Sequence, residues 1–418
     1  MLRRSILAVL LSLAAPAAWA QPAGPAVAST PVVLNARIGE HEDKTRFVIE
    51  VSDPMAVRVF TLTNPNRVVI DMPEVLWRLS GPQKPTGTGA VKSYRYGLYR
   101  PGDSRFVIDL NNPATASAPL VLPPSDGYGY RVVVDLFPTT QAKFDTSSGW
   151  PADLRAKENE EDSIAALIAN SSPSPSPSLE PAHGKKIVVI DPGHGGIDSG
   201  ATGVSGALEK ELVLDEGLRV AKALRARGYV VHMTRATDIF IPLKDRVNIS
   251  RGYGADLFIS LHADSNPDSG VSGTSIYTLS EHGSDAAAAA LARRENQSDI
   301  IAGVDLTGQD DSVSHILIDL AQRDTINRSS RFAEAALGQL GQVTDVLPRE
   351  PHRSAGFVVL KAPDVPAVLI ELGYLSNAND CAQMSTERWR ERTASAIAAA
   401  VDRHFAPKAP AIASDATP

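Results

Sequence analysis

A short apolar run that ends in a histidine constrains the fold more than any other part of the chain. Residues 187–196 read IVVIDPGHGG, so four β-favouring residues lead directly into a turn rich in proline and glycine. An uninterrupted run of this kind is typical of a strand covered on both faces of a parallel or mixed sheet. Ligands of such sheets collect at the carboxyl ends of the strands, which is where the run places His194. The surrounding glycines allow the tight turn that this placement needs.

The sequence from residue 185 onward alternates between helical and strand patterns. It predicts a helix over 210–227, ended by Gly228, and a closing helix with one apolar stripe. The stripe consists of Trp389, Thr393, Ile397 and Val401. Further strands are predicted over 229–234, 257–262, 357–360 and 367–371. This order of elements predicts a three-layer α/β domain over 185–406, followed by a disordered tail over 407–418.

Four versions of one strand pattern occur in the first half of the chain. Each begins with an arginine and ends with an acidic and an apolar residue: RFVIEV at 46, RVVIDM at 67, RFVIDL at 105 and RVVVDL at 131. Their irregular spacing excludes a solenoid and predicts an antiparallel all-β sandwich over 30–138. The arginines and acids either form solvent-facing ion pairs across neighbouring strands or take part in binding a ligand, and the pattern leaves both open.

The two ends of this β region have distinct compositions. Residues 1–20 carry Arg3 and Arg4, an apolar run and the sequence Ala18-Trp19-Ala20, which predict a signal peptide and export to the periplasm by the general or the twin-arginine route. A linker rich in proline and serine is predicted over 139–184. The chain is therefore expected to comprise two folded domains behind a cleaved leader.

Charge and composition exclude several classes of partner. The formal charge of −7 becomes −9 once the two leader arginines are removed, which disfavours nucleic-acid binding. No apolar run beyond the leader approaches the ~18 residues of a membrane helix. The single cysteine, Cys381, cannot form an internal disulfide and is predicted to be a small buried apolar residue.

Ionisable residues close three of the predicted strands. They are His194, His262 and Glu371, and such groups are costly at buried strand ends unless they are paired or bind a metal. Two imidazoles and a carboxylate make up a hydrolytic zinc site with one position left for water. Glu209, at the start of the following helix, is the predicted third ligand. Glu371 is the predicted general base.

Each of these residues also has a simpler interpretation. A single loop histidine is commonly a hydrogen-bonded structural residue, and Glu209 would stabilise a helix N-terminus by its charge alone. The combination of the four residues, rather than any one of them, favours the metal site.

Five segments of the chain resemble the zinc-dependent N-acetylmuramoyl-L-alanine amidases of the periplasmic AmiA/AmiB/AmiC type. They are IDPGHGGIDSGA, LEKELVLD, ISLHAD, ENQSDIIAG and PAVLIELGYLSN, spread over residues 190–377. The resemblance implies Zn²⁺ bound by His194, Glu209 and His262, with Glu371 as the catalytic residue. It also implies that the four-strand region is an AMIN domain, which in this family binds peptidoglycan or a division-site component.

About ninety residues separate the strand at 257–262 from the next predicted strand, far more than an ordinary connection. The resemblance implies that this insert, about 280–350, is a regulatory helical segment that covers the active site until a LytM-domain activator similar to EnvC or NlpD binds. Glu295 in ENQSDIIAG is then the predicted autoinhibitory zinc contact, and residues 312–328 are predicted to receive the activator. The alternative for Glu295 is an exposed helix charge beside Arg293 and Arg294.

The resemblance therefore implies that the protein is a peptidoglycan hydrolase. It would cleave the amide between N-acetylmuramic acid and L-alanine and so separate septal cell wall during division. Two alternatives remain: a catalytically silent wall-binding or regulatory protein, and a zinc peptidase that acts on the stem peptides.

Overall fold

The computed structural model describes residues 30–79, 87–125, 127–154, 184–304 and 318–406. The predicted leader, most of the predicted linker, the predicted tail and the first part of the predicted activator segment lie outside these ranges.

The N-terminal region is a sandwich of two antiparallel-rich sheets. The strands of the first sheet are β1 (Val32–Glu40), β2 (Thr45–Val51), β5 (Leu76–Trp77), β8 (Ala114–Ala116), β9 (Leu120–Leu122) and β10 (Tyr130–Pro138). Those of the second are β3 (Arg58–Leu62), β4 (Arg67–Pro73), β6 (Val91–Arg100) and β7 (Asp103–Leu110). The strand orders are β5-β1-β2-β10-β8, with β9 beside β10, and β3-β4-β7-β6. The predicted sandwich is confirmed.

Period-two alternation in the repeated strands builds the sandwich core. On β2, Phe47, Ile49 and Val51 are fully buried, while the residues between them are partly exposed. Phe47 meets Phe106 of the opposing sheet edge to face, with ring centroids 5.7 Å apart. Burying an aliphatic or phenylalanine side chain of this kind contributes about 1.5–3 kcal/mol, so the inner faces of the repeat hold the two sheets together.

The ordered chain continues past residue 138 into the segment predicted as a linker. Helix α1 (Gln141–Ser147) begins at Thr140, whose side chain accepts a hydrogen bond from the Lys143 N–H. Its Phe144 is completely buried against the sandwich core, and Trp150 is also buried. One apolar residue in a charged segment was too weak a periodic signal to predict a helix.

The C-terminal region has a six-stranded mixed sheet. Its strands are β11 (Ile187–Pro192), β12 (Val230–Met233), β13 (Leu257–His262), β14 (Ser275–Leu279), β15 (His352–Ala355) and β16 (Ala367–Glu371). The order is β12-β11-β13-β16-β14-β15. Strands β12, β11, β13 and β16 are parallel, whereas β14 runs antiparallel to β16. In this register His262 lies opposite Glu371.

Helices cover both faces of this sheet. They are α2 (Glu209–Ala226), α3 (Leu243–Gly252), α4 (Ala286–Glu295), α5 (Ser298–Ile301), α6 (Ile318–Leu340), α7 (Ala378–Met384) and α8 (Glu387–Phe405). One apolar core contains residues of α2, α6 and α8, and a second contains residues of α3 and α4. The predicted three-layer α/β fold is therefore confirmed, as is the buried stripe of the closing helix. Among the described helices, none is both long and apolar enough to cross a membrane.

The strand predicted over 357–360 is wrong. Val358–Leu360 forms a short 3₁₀ helix, and the strand lies earlier, at His352–Ala355. The Asn296 side chain accepts a hydrogen bond from the Val358 N–H and donates one to the Gly356 carbonyl, so these backbone groups are not available for strand pairing. Periodicity cannot distinguish a buried strand from a buried helical turn in so short an apolar run.

Candidate metal centre

The carboxyl edge of the central strands brings the predicted site residues together. His262 and Glu371 end β13 and β16, His194 follows β11 by two residues, and Glu209 is the first residue of α2. All four side chains are at least nine-tenths buried. Glu295, at the end of α4, is the fifth member, with 6% of its surface exposed. The alternative of an exposed helix charge is therefore wrong.

Four donor atoms surround one small space. His194 Nε2 lies 3.1 Å from Glu209 Oε1 and 3.4 Å from Glu295 Oε2. His262 Nδ1 lies 3.2 Å and 3.1 Å from the same two oxygens. Zinc–ligand bonds of 2.0–2.1 Å in a tetrahedron place donors about 3.3 Å apart, so this donor set fits zinc. His194 Nε2 is buried and makes no hydrogen bond to any described residue, as expected of an atom directed at a shared centre.

The loop after β11 fixes His194 from the opposite side. Its Nδ1 lies 2.9 Å from Asp198 Oδ2, and its backbone has the positive φ of 56° that favours glycine. The Arg246 guanidinium donates to the carbonyls of Pro192 and His194 and holds this conformation. In many metal sites a carboxylate orients a ligating imidazole through its second ring nitrogen, and Asp198 is placed to do this for His194. Sequence reasoning missed it, although an acidic residue four positions after the histidine was a usable signal.

Backbone N–H groups fix both oxygens of Glu209. Oε2 accepts a hydrogen bond from Ala201 at 2.8 Å, and Oε1 accepts one from Ala263 at 2.8 Å. The second donor directly follows His262, so the turn that ends β13 positions the carboxylate as well as the imidazole. Oε1 is thereby held between the two rings.

Glu371 lies beside this cluster without entering it. Its Oε2 accepts the Asp264 N–H at 3.0 Å, while Oε1 is buried and accepts no hydrogen bond from the described residues. Burial raises the pKa of Glu371 well above its ordinary value, and the nearby charges of Glu209, Asp264 and Glu295 raise it further. A carboxylate in this setting is a strong proton acceptor.

The carboxylates set the electrostatics of the two imidazoles. Burial alone would lower the pKa of His262, but Glu295 and Glu209 outweigh it and raise that pKa to about 10. Burial likewise opposes protonation of His194, yet Glu209, Asp198 and Glu295 raise its pKa well above the usual value. Because the surrounding carboxylates favour positive charge at this point, the site is suited to a divalent cation.

The segment around α4 and α5 closes the site. Besides Glu295, Arg294 forms an ion pair with Asp264, its Nε lying 3.0 Å from Oδ2, and Ser298 donates a hydrogen bond to Asp198. The remaining cavity beside the two histidines has about 10 Å³ of space, which is room for one water molecule. A polymeric substrate cannot reach the cluster in this arrangement.

A three-layer α/β domain with a buried His/His/carboxylate cluster and a second carboxylate beside it has the features of the metal-dependent hydrolases. Two family models match: "N-acetylmuramoyl-L-alanine amidase" over residues 188–403 and "AMIN domain" over 35–136. The chain belongs to the N-acetylmuramoyl-L-alanine amidase family, with an N-terminal AMIN domain.

Curated relatives extend this likeness over most of the chain. The chain is 32% identical to N-acetylmuramoyl-L-alanine amidase AmiC of Escherichia coli, with 91% of each chain covered. It is 34% identical to AmiC of Neisseria meningitidis, over 92% of this chain and 93% of that protein. AmiA of Escherichia coli is 40% identical over 57% of this chain and 83% of its own length.

Proposed function

We propose that this protein is a zinc-dependent peptidoglycan amidase that cleaves the bond between N-acetylmuramic acid and L-alanine during septal wall separation. The observation that carries the proposal is the set of donor atoms from His194, Glu209, His262 and Glu295, spaced 3.1–3.4 Å apart. The names of the curated relatives supply the substrate class.

We assign the three ligand positions to His194, Glu209 and His262, and the proton transfers to Glu371. A zinc ion held there would supply a Lewis acid and lower the pKa of a water molecule. Glu371 Oε1 then takes the proton from the attacking water and returns it to the leaving nitrogen. The hydrogen bond from the Asp264 N–H to Oε2 keeps the carboxylate in one orientation through both steps.

Glu295 is assigned as the fourth, inhibitory ligand. A hydrolytic zinc site needs one open position for water. The distance of 3.1 Å from Glu295 Oε2 to His262 Nδ1 supports the proposal that Glu295 would fill that position. This arrangement of Glu295 and the insert is then the resting state. A LytM-domain activator similar to EnvC or NlpD, acting through residues 312–328, is the proposed means of displacing the insert.

The remaining assignments concern where the enzyme acts. We propose that it is exported to the periplasm by the signal peptide at residues 1–20. The AMIN domain would bring it to peptidoglycan or to a component of the division site. Domain bounds of 30–138 and 185–406 belong to this proposal, with the linker between them starting only after helix α1, whose Phe144 packs in the sandwich core.

The decisive experiment is digestion of purified sacculi by the zinc-loaded full-length protein, with product masses read by mass spectrometry. The wild type should release free stem peptides with an L-alanine amino terminus, slowly without activator. Glu371→Ala should abolish release while zinc remains bound, because only the proton acceptor is lost. Glu295→Ala should raise activator-free release, because the fourth position opens.

Arg293→Ala is the matched control for the insert, since Arg293 is exposed on the same helix as Glu295. It should behave as the wild type. If the products were shortened peptides still attached to sugar, the amidase assignment would be wrong and the protein would be a peptidase. Near-normal turnover of Glu371→Ala would overturn the general base, and unchanged basal release by Glu295→Ala would overturn the occlusion.

A further inference from the structure

The arginines of the four-strand repeat divide into two groups. Arg46 forms the cross-strand ion pair that the pattern suggested, with its Nε 2.7 Å from Asp135 Oδ1 in the first sheet. Arg67 and Arg105, in the second sheet, are 3% and 1% exposed, so solvent-facing pairs do not describe them. They share the outer face of that sheet with Arg95 of β6, because the neighbouring residue on each strand faces the sandwich core. Those neighbours are Val68, Phe106 and Tyr94.

Each of these three arginines donates to a backbone carbonyl of the insert. Arg67 Nη1 lies 2.5 Å from the Ile300 carbonyl oxygen, and Arg95 Nε lies 2.5 Å from that of Ile301. Arg105 Nη1 lies 3.1 Å from the carbonyls of both Ala302 and Gly303. These four consecutive carbonyls lie at and just beyond the end of helix α5. The Ile300 carbonyl also accepts the Gly303 N–H, whereas the other three accept no backbone N–H from the residues that the structure describes. The arginines therefore satisfy acceptors that would otherwise need water.

Apolar contacts enclose these hydrogen bonds. The buried cluster that joins the two domains includes Val69, Tyr99 and Val107 of the sheet together with Ala302 and Val304 of the insert. Hydrogen bonds from charged donors are strong and directional where water is excluded.

The charge on the most buried arginine is compensated within the AMIN domain. Arg105 Nε and Nη2 lie 2.5 Å and 2.8 Å from the two carboxylate oxygens of Asp71, and the guanidinium stacks 3.7 Å from the Tyr99 ring centroid. Since both partners belong to one sheet, the arginine is oriented before it meets the insert. The face therefore presents oriented donors to a short stretch of backbone carbonyls.

We propose that the outer face formed by Arg67, Arg95 and Arg105 is a docking surface whose occupant is residues 300–303 of the same chain, and that it holds the insert in its resting position. Helix α5 starts three residues after Glu295, the last residue of α4. A displacement of the docked residues 300–303 would therefore also move Glu295. The regulatory consequence rests on the proposed function, in which Glu295 blocks the site. The AMIN domain is on this view a restraint on catalysis as well as a targeting module.

Hydrogen–deuterium exchange on the full-length protein tests the docking surface. Arg67→Gln with Arg95→Gln removes two charged donors, each worth about tenfold or more in an equilibrium constant. Amides 298–304 should exchange at least about tenfold faster than in the wild type. Arg46→Gln is the matched control, because it removes an arginine at the same repeat position in the other sheet. Arg95→Lys alone is a milder variant for use if the double variant does not fold.

Sacculus digestion by the same variants separates the two proposals. Faster exchange together with higher activator-free release supports both. Faster amide exchange over 298–304 with unchanged release of stem peptides supports the docking surface and overturns the occlusion by Glu295. Exchange over 298–304 equal to that of Arg46→Gln overturns the docking surface, whatever the activity.

Discussion

Gly193→Ala should weaken zinc binding through a steric effect on His262. A Cβ atom at position 193 would lie 2.4, 2.5 and 2.8 Å from Cε1, Nε2 and Nδ1 of the His262 ring. Non-bonded carbon atoms pack at about 3.5 Å or more, so the ring must move by about 1 Å. Zinc sites tolerate about 0.2 Å in ligand distance.

A perturbed ligand shell typically costs about 10–100-fold in metal affinity, which corresponds to about 1.4–2.7 kcal/mol. Competition with a chromophoric chelator at fixed pH measures the affinity directly, without any assay of hydrolysis. Gly252→Ala is the control, because a Cβ there has no neighbour within 4 Å and the residue ends helix α3. Equal zinc affinities for the wild type, Gly193→Ala and Gly252→Ala would refute the placement of His262 in the metal shell.

Two further changes test the electrostatics of the catalytic domain. Burial raises the pKa of Glu216 from 4.5 to about 8, so between those pH values the folded chain holds a proton that the unfolded chain has released, and stability falls as the pH rises. The free energy of unfolding of Glu216→Gln, measured with urea, should therefore equal that of the wild type near pH 4.5 and exceed it at pH 8 by up to roughly 4–5 kcal/mol. A difference in this free energy that does not change with pH would contradict the prediction. Asp198→Ala should lower zinc affinity about 10–100-fold, because His194 loses the acceptor that orients it, and chelator competition showing no change would remove Asp198 from the site.

The sequence was most informative where local pattern and topology coincide. An abrupt change from apolar to polar residues marks the end of a strand, and parallel strands bring their carboxyl ends to one edge of the sheet. His194, His262 and Glu371 could therefore be placed together. Glu209 followed because a helix that returns beside its strand begins at the same edge. The 3₁₀ helix at 358–360 was missed because the backbone at its start is hydrogen-bonded by the Asn296 side chain, about sixty residues earlier in the chain. The local pattern of apolar residues contains no information about such a distant partner.

The contacts between the two domains could not be predicted from the sequence, for a related reason. The repeat reveals that its arginines alternate with apolar residues, and the register then pairs Arg105 with Asp71 across neighbouring strands. It does not reveal which outer face meets another domain, because that depends on contacts across about two hundred residues of sequence, such as that between Arg105 and Ala302. Acceptors contributed by backbone carbonyls leave no trace in residue type.

The insert is held at several points that lie close together in sequence, which determines what the proposed activator would have to do. Arg294 binds Asp264, Glu295 faces the histidines, Ser298 binds Asp198, and the carbonyls from residue 300 onward meet the AMIN arginines. Because one short segment makes all these contacts, displacing it exchanges one packed arrangement for another. Shifting such an equilibrium from 1:99 to 99:1 requires a partner that binds the open form about 10⁴-fold more tightly, or about 5.5 kcal/mol. A partner that contacted only surfaces common to both forms would bind without activating, so under the proposed function the activating surface would include groups that the insert conceals or holds elsewhere in this arrangement.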